Sequence, residues 1–383
     1  MHVTLDALSI RDFRNVAQAD IALPEEGIAI VGDNGHGKTN LLEAIAYLAL
    51  LRSMRGVRDR DLIRFGARGF SISAEVRGAA AARCVVGADT AGRKKVSLDG
   101  VEVTRLSDAL GAIPSVCFSP ADVALVAGAP AERRRYLDIT LALSSRPYLA
   151  ALRLYRAALA RRNAALRDAA GPHARSSTVA AWEPSLAEYG AVLVHERRDW
   201  ASRGAAEFAR LAAAIGEPVP MTIAYESTLA GAEDVRGALA ESLARGRDGD
   251  VKRGLTQTGP HRDDLAVTLG TRDLRVVGSA GQQRTAAIAL RLLEQATFRE
   301  RGGAQPLLLL DDPFAELDRD RAARVLGLLE EASARGLGQT VLCVPRDDEV
   351  PRAFTRLERW RVSEGRFERV EQALAAGPKA AAR

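Results

Sequence analysis

Apolar and polar residues alternate over residues 5–10, the period-two pattern of a strand with one face in a core. Gly27–Val31 (GIAIV) is continuously apolar between Pro24 and Gly32, as expected of a strand buried on both faces. From Lys38 the spacing changes, and Leu41, Leu42, Ala44, Ile45, Leu48 and Ala49 recur at helical intervals, which predicts a helix over 38–51. Residues 96–103 place Asp99-Gly100 between two alternating runs. That dipeptide accepts positive φ at both positions, so a hairpin with a type I′ turn is expected.

Beyond Phe118 the texture turns to long amphipathic stretches rich in alanine and arginine. Leu152, Tyr155, Leu159 and Leu166 mark one helix face, and Leu186, Tyr189, Leu193, Trp200, Gly204, Phe208 and Leu211 mark another, with Ala170-Gly171-Pro172 as the linker between them. Neither face sustains the clean heptads of an extended coiled coil, so a helical subdomain is expected. A strand pattern resumes near Met221, followed by a hairpin of 265–270 and 273–277 around Thr271-Arg272. Residues 307–310 and 340–344 read as core strands, and the Ala/Gly/Pro/Lys tail from Ala373 as a frayed end.

Composition narrows the class. In 383 residues, 47% are hydrophobic and 27% charged, which excludes a disordered or low-complexity chain. Lys+Arg 54 against Asp+Glu 49 gives a net charge of +5, which permits an acidic partner without demanding one. No apolar run approaches the ~18–20 residues of a membrane span, and Asp6 and Asp12 interrupt the N-terminus, so no signal peptide is expected. Cys84, Cys117 and Cys343 lie far apart without a CxxC pair, against a disulfide framework or zinc ribbon. The expectation is a cytoplasmic protein. Only five of the basic residues are lysines, so a lysine in a suggestive setting carries more weight.

Lys38 has that setting. Gly32-Asp33-Asn34-Gly35-His36-Gly37-Lys38-Thr39 fits the P-loop pattern and lies between an expected strand and an expected helix. Glycines let successive backbone N–H groups turn inward on phosphate oxygens, and the helix that follows presents its positive end. Lys38 is then assigned to the β- and γ-phosphates of ATP and Thr39 to Mg²⁺, with Gly32 to Thr39 and Asn40 as the nucleotide cradle. His36 occupies a variable position of the pattern and is expected to pack locally. A P-loop needs a carboxylate at the end of a neighbouring buried strand, and 307–310 followed by Asp311-Asp312 supplies two. Asp311 is assigned to Mg²⁺ through a water, and Asp312 to orienting or deprotonating the attacking water.

A third element precedes an amphipathic helix: Gly278-Ser279-Ala280-Gly281-Gln282-Gln283-Arg284, with Ser279 placed as an N-cap 32 residues before Asp311. This resembles the signature sequence of ABC-type ATPases, with Ser279, Gly281 and Gln282 as nucleotide contacts reaching a second protomer. Glu316-Leu317-Asp318 resembles their D-loop.

Taken together the motifs resemble the RecF family of bacterial recombination mediators, relatives of SMC heads without the long coiled coil. The matching stretches are IRDFRN ending at Asn15, GDNGHGKTNLLEAI around Lys38, Arg52-Ser-Met-Arg55, Phe118-Ser-Pro-Ala-Asp122, Arg133-Arg134 with Leu137-Asp138, Gly259-Pro-His-Arg-Asp-Asp-Leu265, SAGQQR and LLLLDDPFAELD. Ala280 stands where the family has glutamine, Asp312 where many ABC ATPases have glutamate. No glutamine lies between Ile113 and Asp122, and no histidine or threonine stands at the usual switch position near Cys343, just after the strand.

The resemblance implies an α/β P-loop NTPase of the ABC/SMC head type. Lobe I comprises 1–118 and 303–372, the mostly helical lobe II comprises 119–302 with its signature helix at 279–298, and 373–383 form a tail. It further implies ATP and Mg²⁺ as cofactors, an ATP-dependent homodimer, and slow DNA-stimulated hydrolysis. The implied partners are double-stranded DNA and single-strand/double-strand junctions, with RecR and RecO as co-workers and RecA as the protein loaded. Candidate DNA contacts are Arg52, Arg55, Arg133, Arg134, Arg153, Arg156, Arg161 and Arg162. With no helix-turn-helix, zinc finger or aromatic series, binding is expected to use the DNA backbone and to fall steeply with salt. Arg52 and Arg55 are alternatively nucleotide contacts, and His261 is open to either a structural or a catalytic reading. Rival readings are a small-molecule phosphotransferase, a non-hydrolysing clamp, and another ABC/SMC-type repair ATPase.

Overall fold

The computed structural model describes residues 2–169, 176–229, 231–303, 305–314, 317–334 and 338–370. The linker at Ala170 to Pro172, Glu316, and the tail from Ala373 lie outside them. The chain divides into two units, Met1–Ser119 with Ala304–Pro313 and Glu330–Arg383, and Pro120–Gly303 with Phe314–Leu329.

The first unit carries two six-stranded sheets. In the mostly parallel one the order is Arg366–Arg369, Glu358–Ser363, Gly27–Val31, Thr340–Val344, Leu307–Asp311 and Ser115–Phe118. Only the Arg366–Arg369 edge pairs antiparallel. Leu307 to Leu310 are at most 1% exposed, which is why this run is apolar without alternation. The other sheet is antiparallel, in the order Val16–Ala22, Thr4–Phe13, Gly69–Arg77, Arg83–Asp89, Lys94–Leu98 and Val101–Glu102. Asp99 (φ 50°) and Gly100 (φ 84°) form its last turn with positive φ at both positions, the conformation expected for that dipeptide.

Helix Lys38–Leu50 joins this sheet through aromatic rings. Tyr47 meets Phe70 edge-on at 5.4 Å, and Phe13 meets Phe70 at 5.2 Å. The Tyr47 hydroxyl leaves the apolar cluster by donating to Asp59 at 2.7 Å.

The second unit is built on helices Pro130–Ser144, Arg146–Ala169, Glu183–Ile215, Val235–Arg253 and Ala280–Gly302. They accompany a three-stranded antiparallel sheet of Arg272–Asp273, Asp264–Leu269 and Met221–Glu226. Of the apolar face expected on the longest helix, Leu186, Leu193, Trp200, Gly204, Phe208 and Leu211 are buried. Gly204 belongs to that face because a Cβ there would meet Leu293 at 3.0 Å.

Two expectations need correction. The strand expected over 273–277 pairs only through Arg272–Asp273. The Asp273 carboxylate then accepts the Arg275 N–H and starts a short helix, Leu274–Val277, the competition that aspartate side chains offer to sheet ladders. Lobe I was expected to contain all of 303–372, yet Phe314–Leu329 clusters with the helical unit. Within that unit Arg321 pairs with buried Glu217 at 3.6 Å, and the Arg324 guanidinium lies against Gly216.

Candidate nucleotide site and signature helix

The loop between strand Gly27–Val31 and helix Lys38–Leu50 is shaped by its glycines. Gly35 and Gly37 have φ of 86° and 117°, values open to glycine at little cost. Gly32 admits no side chain, because a Cβ would sit 2.5 Å from the Val362 carbonyl oxygen. Lys38 is only 6% exposed, and its ammonium donates to the carbonyls of Gly32 and Asp33 and to Asn34 Oδ1. The loop's concavity therefore concentrates oxygen acceptors and one cation in one place.

The adjacent strand delivers Asp311, 8% exposed, whose Oδ1 accepts the Thr39 hydroxyl at 3.1 Å. Burial pushes the Asp311 carboxyl above its ordinary range, and Asp312 adds to the rise, while Thr39, Arg55 and Lys38 oppose it. Two oxygen ligands side by side, one of them a carboxylate penalised by desolvation, suit a hard cation such as Mg²⁺. Asp312 follows in the left-handed region at φ 44°, with its N–H held by the Cys343 carbonyl at 2.9 Å.

Two elements distant in sequence, Asn15 and the Glu364-Gly365 turn, hold this loop from outside, and neither was assigned from the sequence. Asn15 donates from Nδ2 to the His36 carbonyl at 3.2 Å and accepts Asn40 Nδ2 at 2.8 Å. The Glu364-Gly365 turn donates its two N–H groups to His36, one to the ring Nδ1 and one to the carbonyl oxygen. A Cβ on Gly365 would lie 2.4 Å from the Asn15 carbonyl oxygen. His36 thus packs locally, as expected, and acts as a post for that turn. Beneath the helix, fully buried Glu43 accepts from Arg14 Nε at 3.0 Å and from the Ser53 hydroxyl, and Arg55 approaches it at 3.7 Å. Asn15 lies in a stretch already noted for its resemblance, but a lone turn asparagine carries no chemical signal of its own.

In the second unit Ser279 caps helix Ala280–Gly302 with a capping box. Its Oγ accepts the Gln282 N–H at 3.3 Å, and Gln282 Oε1 accepts the Ser279 N–H at 3.0 Å. Ser279 is exposed. Gln282 also donates to Glu217 Oε1 at 3.1 Å, so its amide shapes the helix start from both ends. Gly281 faces Arg321, whose Nη1 would lie 2.5 Å from a Cβ. Asp318 accepts the Arg321 N–H at 2.8 Å and pairs with its guanidinium at 3.6 Å. The segments resembling a signature and a D-loop are therefore tied together inside one unit through Glu217 and Arg321.

The arginines expected on DNA separate into classes. Arg162 is fully buried, bonded to Asp250 at 2.7 Å and Glu183 at 3.1 Å, and Arg133 is buried on both oxygens of Asp264. Both expectations are withdrawn, because a guanidinium neutralised in the interior cannot meet a phosphate backbone. Arg134 donates to the Asp263 carbonyl at 2.7 Å, and Arg156 pairs with Asp138 at 2.7 Å. Arg153 is exposed, and Arg161 lies over the Trp182 ring at 5.1 Å. Arg52 is half-buried, and Arg55 acts on Asp311, which favours the nucleotide side for Arg55.

His261 proves structural. Its Nδ1 bonds the Tyr155 hydroxyl at 2.7 Å and its Nε2 the Thr256 carbonyl at 3.0 Å. Burial pushes its pKa from 6.5 down to about 4. A depressed imidazole stabilises the fold while neutral, and this contribution is lost as pH falls from 6.5 towards 4. Acidification across that window is expected to cost about 2–3 kcal/mol through this one group. His261→Gln, which keeps a donor and an acceptor, should flatten the acid limb of stability relative to the unsubstituted chain. Denaturant titrations from pH 7 to 4.5 provide the check, and parallel limbs would contradict it.

The fold and the arrangement of Lys38, Thr39 and Asp311 define a P-loop ATPase head of the ABC/SMC type. A family model described as the RecF/RecN/SMC N terminal domain matches residues 4–353. A DNA replication and repair protein RecF from Roseiflexus castenholzii is 37% identical over 401 residues, covering 95% of this chain and 99% of that one. The protein of the same name from Streptomyces avermitilis is 36% identical, covering 97% and 100%. The chain belongs to the RecF family of DNA replication and repair proteins. Among solved structures, the recombination mediator protein RecF with ATP, in the RecFOR pathway, superposes with a TM-score of 0.87 at 28% identity over 96% of this chain and 98% of that one. An Smc head domain from Pyrococcus furiosus, at 19% identity and a TM-score of 0.55 over 96% of each, shares the fold. Among the described residues, no helix is long and apolar enough to cross a membrane.

Proposed function

We propose that this chain is an ATP-dependent switch on DNA, in which nucleotide joins two copies into a DNA-binding dimer and slow hydrolysis releases them. The observation that carries the reading is the junction of P-loop and acidic strand, where buried Lys38 and the Thr39–Asp311 pair converge. In this reading Gly32 to Asn40 cradle the ATP phosphates, Lys38 offsets their charge, and Thr39 with Asp311 hold Mg²⁺. The metal supplies charge neutralisation on the phosphoryl oxygens. Asp312 orients the attacking water and takes its proton. The exposed Ser279 and the backbone N–H groups after it form the positive end of a 23-residue helix, suited to a phosphate brought by a second copy. Asp312, shorter than a glutamate, supports slow turnover.

Membership of a DNA replication and repair family supports work at replication gaps. There the ATP dimer would bind double-stranded DNA and single-strand/double-strand junctions through phosphate contacts and assist RecR and RecO in loading RecA. Such binding should weaken as salt rises.

The test is the mass of the full chain by light scattering with and without ATP and Mg²⁺, with gapped DNA added last. Ser279→Arg places a long cation at the proposed joint. ATP affinity is expected within about twofold of normal, while the dimer fraction collapses. Dimerisation at the unsubstituted level would refute the arrangement in trans.

A further inference from the structure

Away from the P-loop, helices Pro130–Ser144, Arg146–Ala169 and Glu183–Ile215 enclose a cavity of about 240 Å³. Its lining includes four arginines, Arg134, Arg135, Arg156 and Arg197, with Asp138 as the only carboxylate among the described residues. Asp138 is already saturated: it accepts the Tyr148 hydroxyl, pairs with Arg197 at 2.7 Å, and pairs with Arg156 at 2.7 Å. Arg197 is 2% exposed, fixed by the Tyr148 hydroxyl and the Pro260 carbonyl as well as by Asp138. Its charge is therefore spent on Asp138 and the fold, and it braces the floor of the cavity without offering a donor to a ligand. His261, held between Tyr155 and Thr256, brings the family-like segment 259–265 to the same wall. Its depressed pKa keeps it neutral, so the positive excess comes from guanidinium groups. Arg134 is itself held below the usual arginine range by burial, with Asp264 and Asp138 opposing the shift and Arg197 and Arg262 adding to it. Like charges crowded into a half-enclosed space are relieved by an anion.

We propose that this cavity binds a phosphomonoester, distinct from the ATP phosphates of the P-loop. Guanidinium forks of Arg134 and Arg135 on one helix and of Arg156 on the next suit several oxygens of one tetrahedral dianion. A diester within a continuous strand carries one charge and runs along a surface, whereas a monoester terminates its chain and enters a recess. The phosphorylated end of a DNA strand and a small free phosphate share this chemistry.

The experiment uses the full chain and the double variant Arg135→Gln/Arg156→Gln, which removes two rim cations and leaves Asp138 paired with Arg197. Inorganic phosphate, added at constant ionic strength, is expected to raise the melting temperature of the unsubstituted chain by about 2 °C or more beyond its effect on the variant. Comparing the two proteins cancels any phosphate bound at the P-loop. Anisotropy then compares a hairpin duplex carrying a 5′-phosphate with one ending in a 5′-hydroxyl. A preference of about fivefold or more in the unsubstituted chain, lost in the variant, assigns the cavity to strand ends. Phosphate protection lost in the variant with both hairpins bound equally assigns it to small free phosphates. Equal phosphate response in both proteins without a variant-sensitive end preference overturns the proposal. Failure to bind either hairpin would count against the DNA reading alone, and the phosphate arm would still decide the cavity.

Discussion

Replacing Lys38 with arginine is expected to abolish nucleotide-driven dimerisation while leaving the chain folded. The ammonium fits among the Gly32 and Asp33 carbonyls and Asn34 Oδ1 at 6% exposure, a pocket for a compact point charge rather than a planar fork. A guanidinium there must displace the loop or leave it. Losing one charge-assisted contact to phosphate costs about 1.5–3 kcal/mol, which is about 10–100-fold in affinity. Equilibrium binding of a fluorescent ATP analogue and light scattering provide the readouts. A variant that dimerises as readily as the parent would show that Lys38 is not the phosphate ligand.

Asp312→Asn is expected to do the opposite, accumulating an ATP-bound dimer whose turnover falls by about 10²–10⁴, the usual contribution of a positioned general base. The backbone makes this substitution unusually clean. At φ 44° Asp312 lies in the left-handed region, where asparagine and aspartate are the best tolerated residues after glycine. The variant should melt close to the parent, so lost turnover can be read as lost chemistry. Single-turnover hydrolysis with and without DNA measures the effect, and undiminished turnover would remove Asp312 from the mechanism.

Local patterns were legible before the structure. The apolar strand at Gly27–Val31, the helix from Lys38, the Asp99-Gly100 turn and the Ser279 cap each arise from neighbours within a few residues, where period and turn chemistry operate. Long-range partners were not. Asn15 and Gly365 reach His36, and Glu217 reaches Gln282 and Arg321, across stretches with no periodic relation. The arginines were the hardest to sort. Arg133 and Arg153 read alike in sequence, yet one is buried against Asp264 and the other exposed. What separates them is the presence of a carboxylate 131 positions away in the chain, a fact of tertiary packing. The short helix after Asp273 misled for a smaller reason, since a single side-chain bond outweighed the strand preference of two valines.

The clasp that Asn15 and the Glu364-Gly365 turn place on His36 has a consequence for how ATP arrives. Flexible phosphate loops lose chain entropy each time a ligand enters, on the order of 1–2 kcal/mol for every residue that becomes fixed. Here Asn15 and the Glu364-Gly365 turn hold the centre of the loop through His36 without a ligand, so part of that ordering is met by folding itself. Loosening the clasp at residue 15 would then slow loading without removing a single group that touches phosphate.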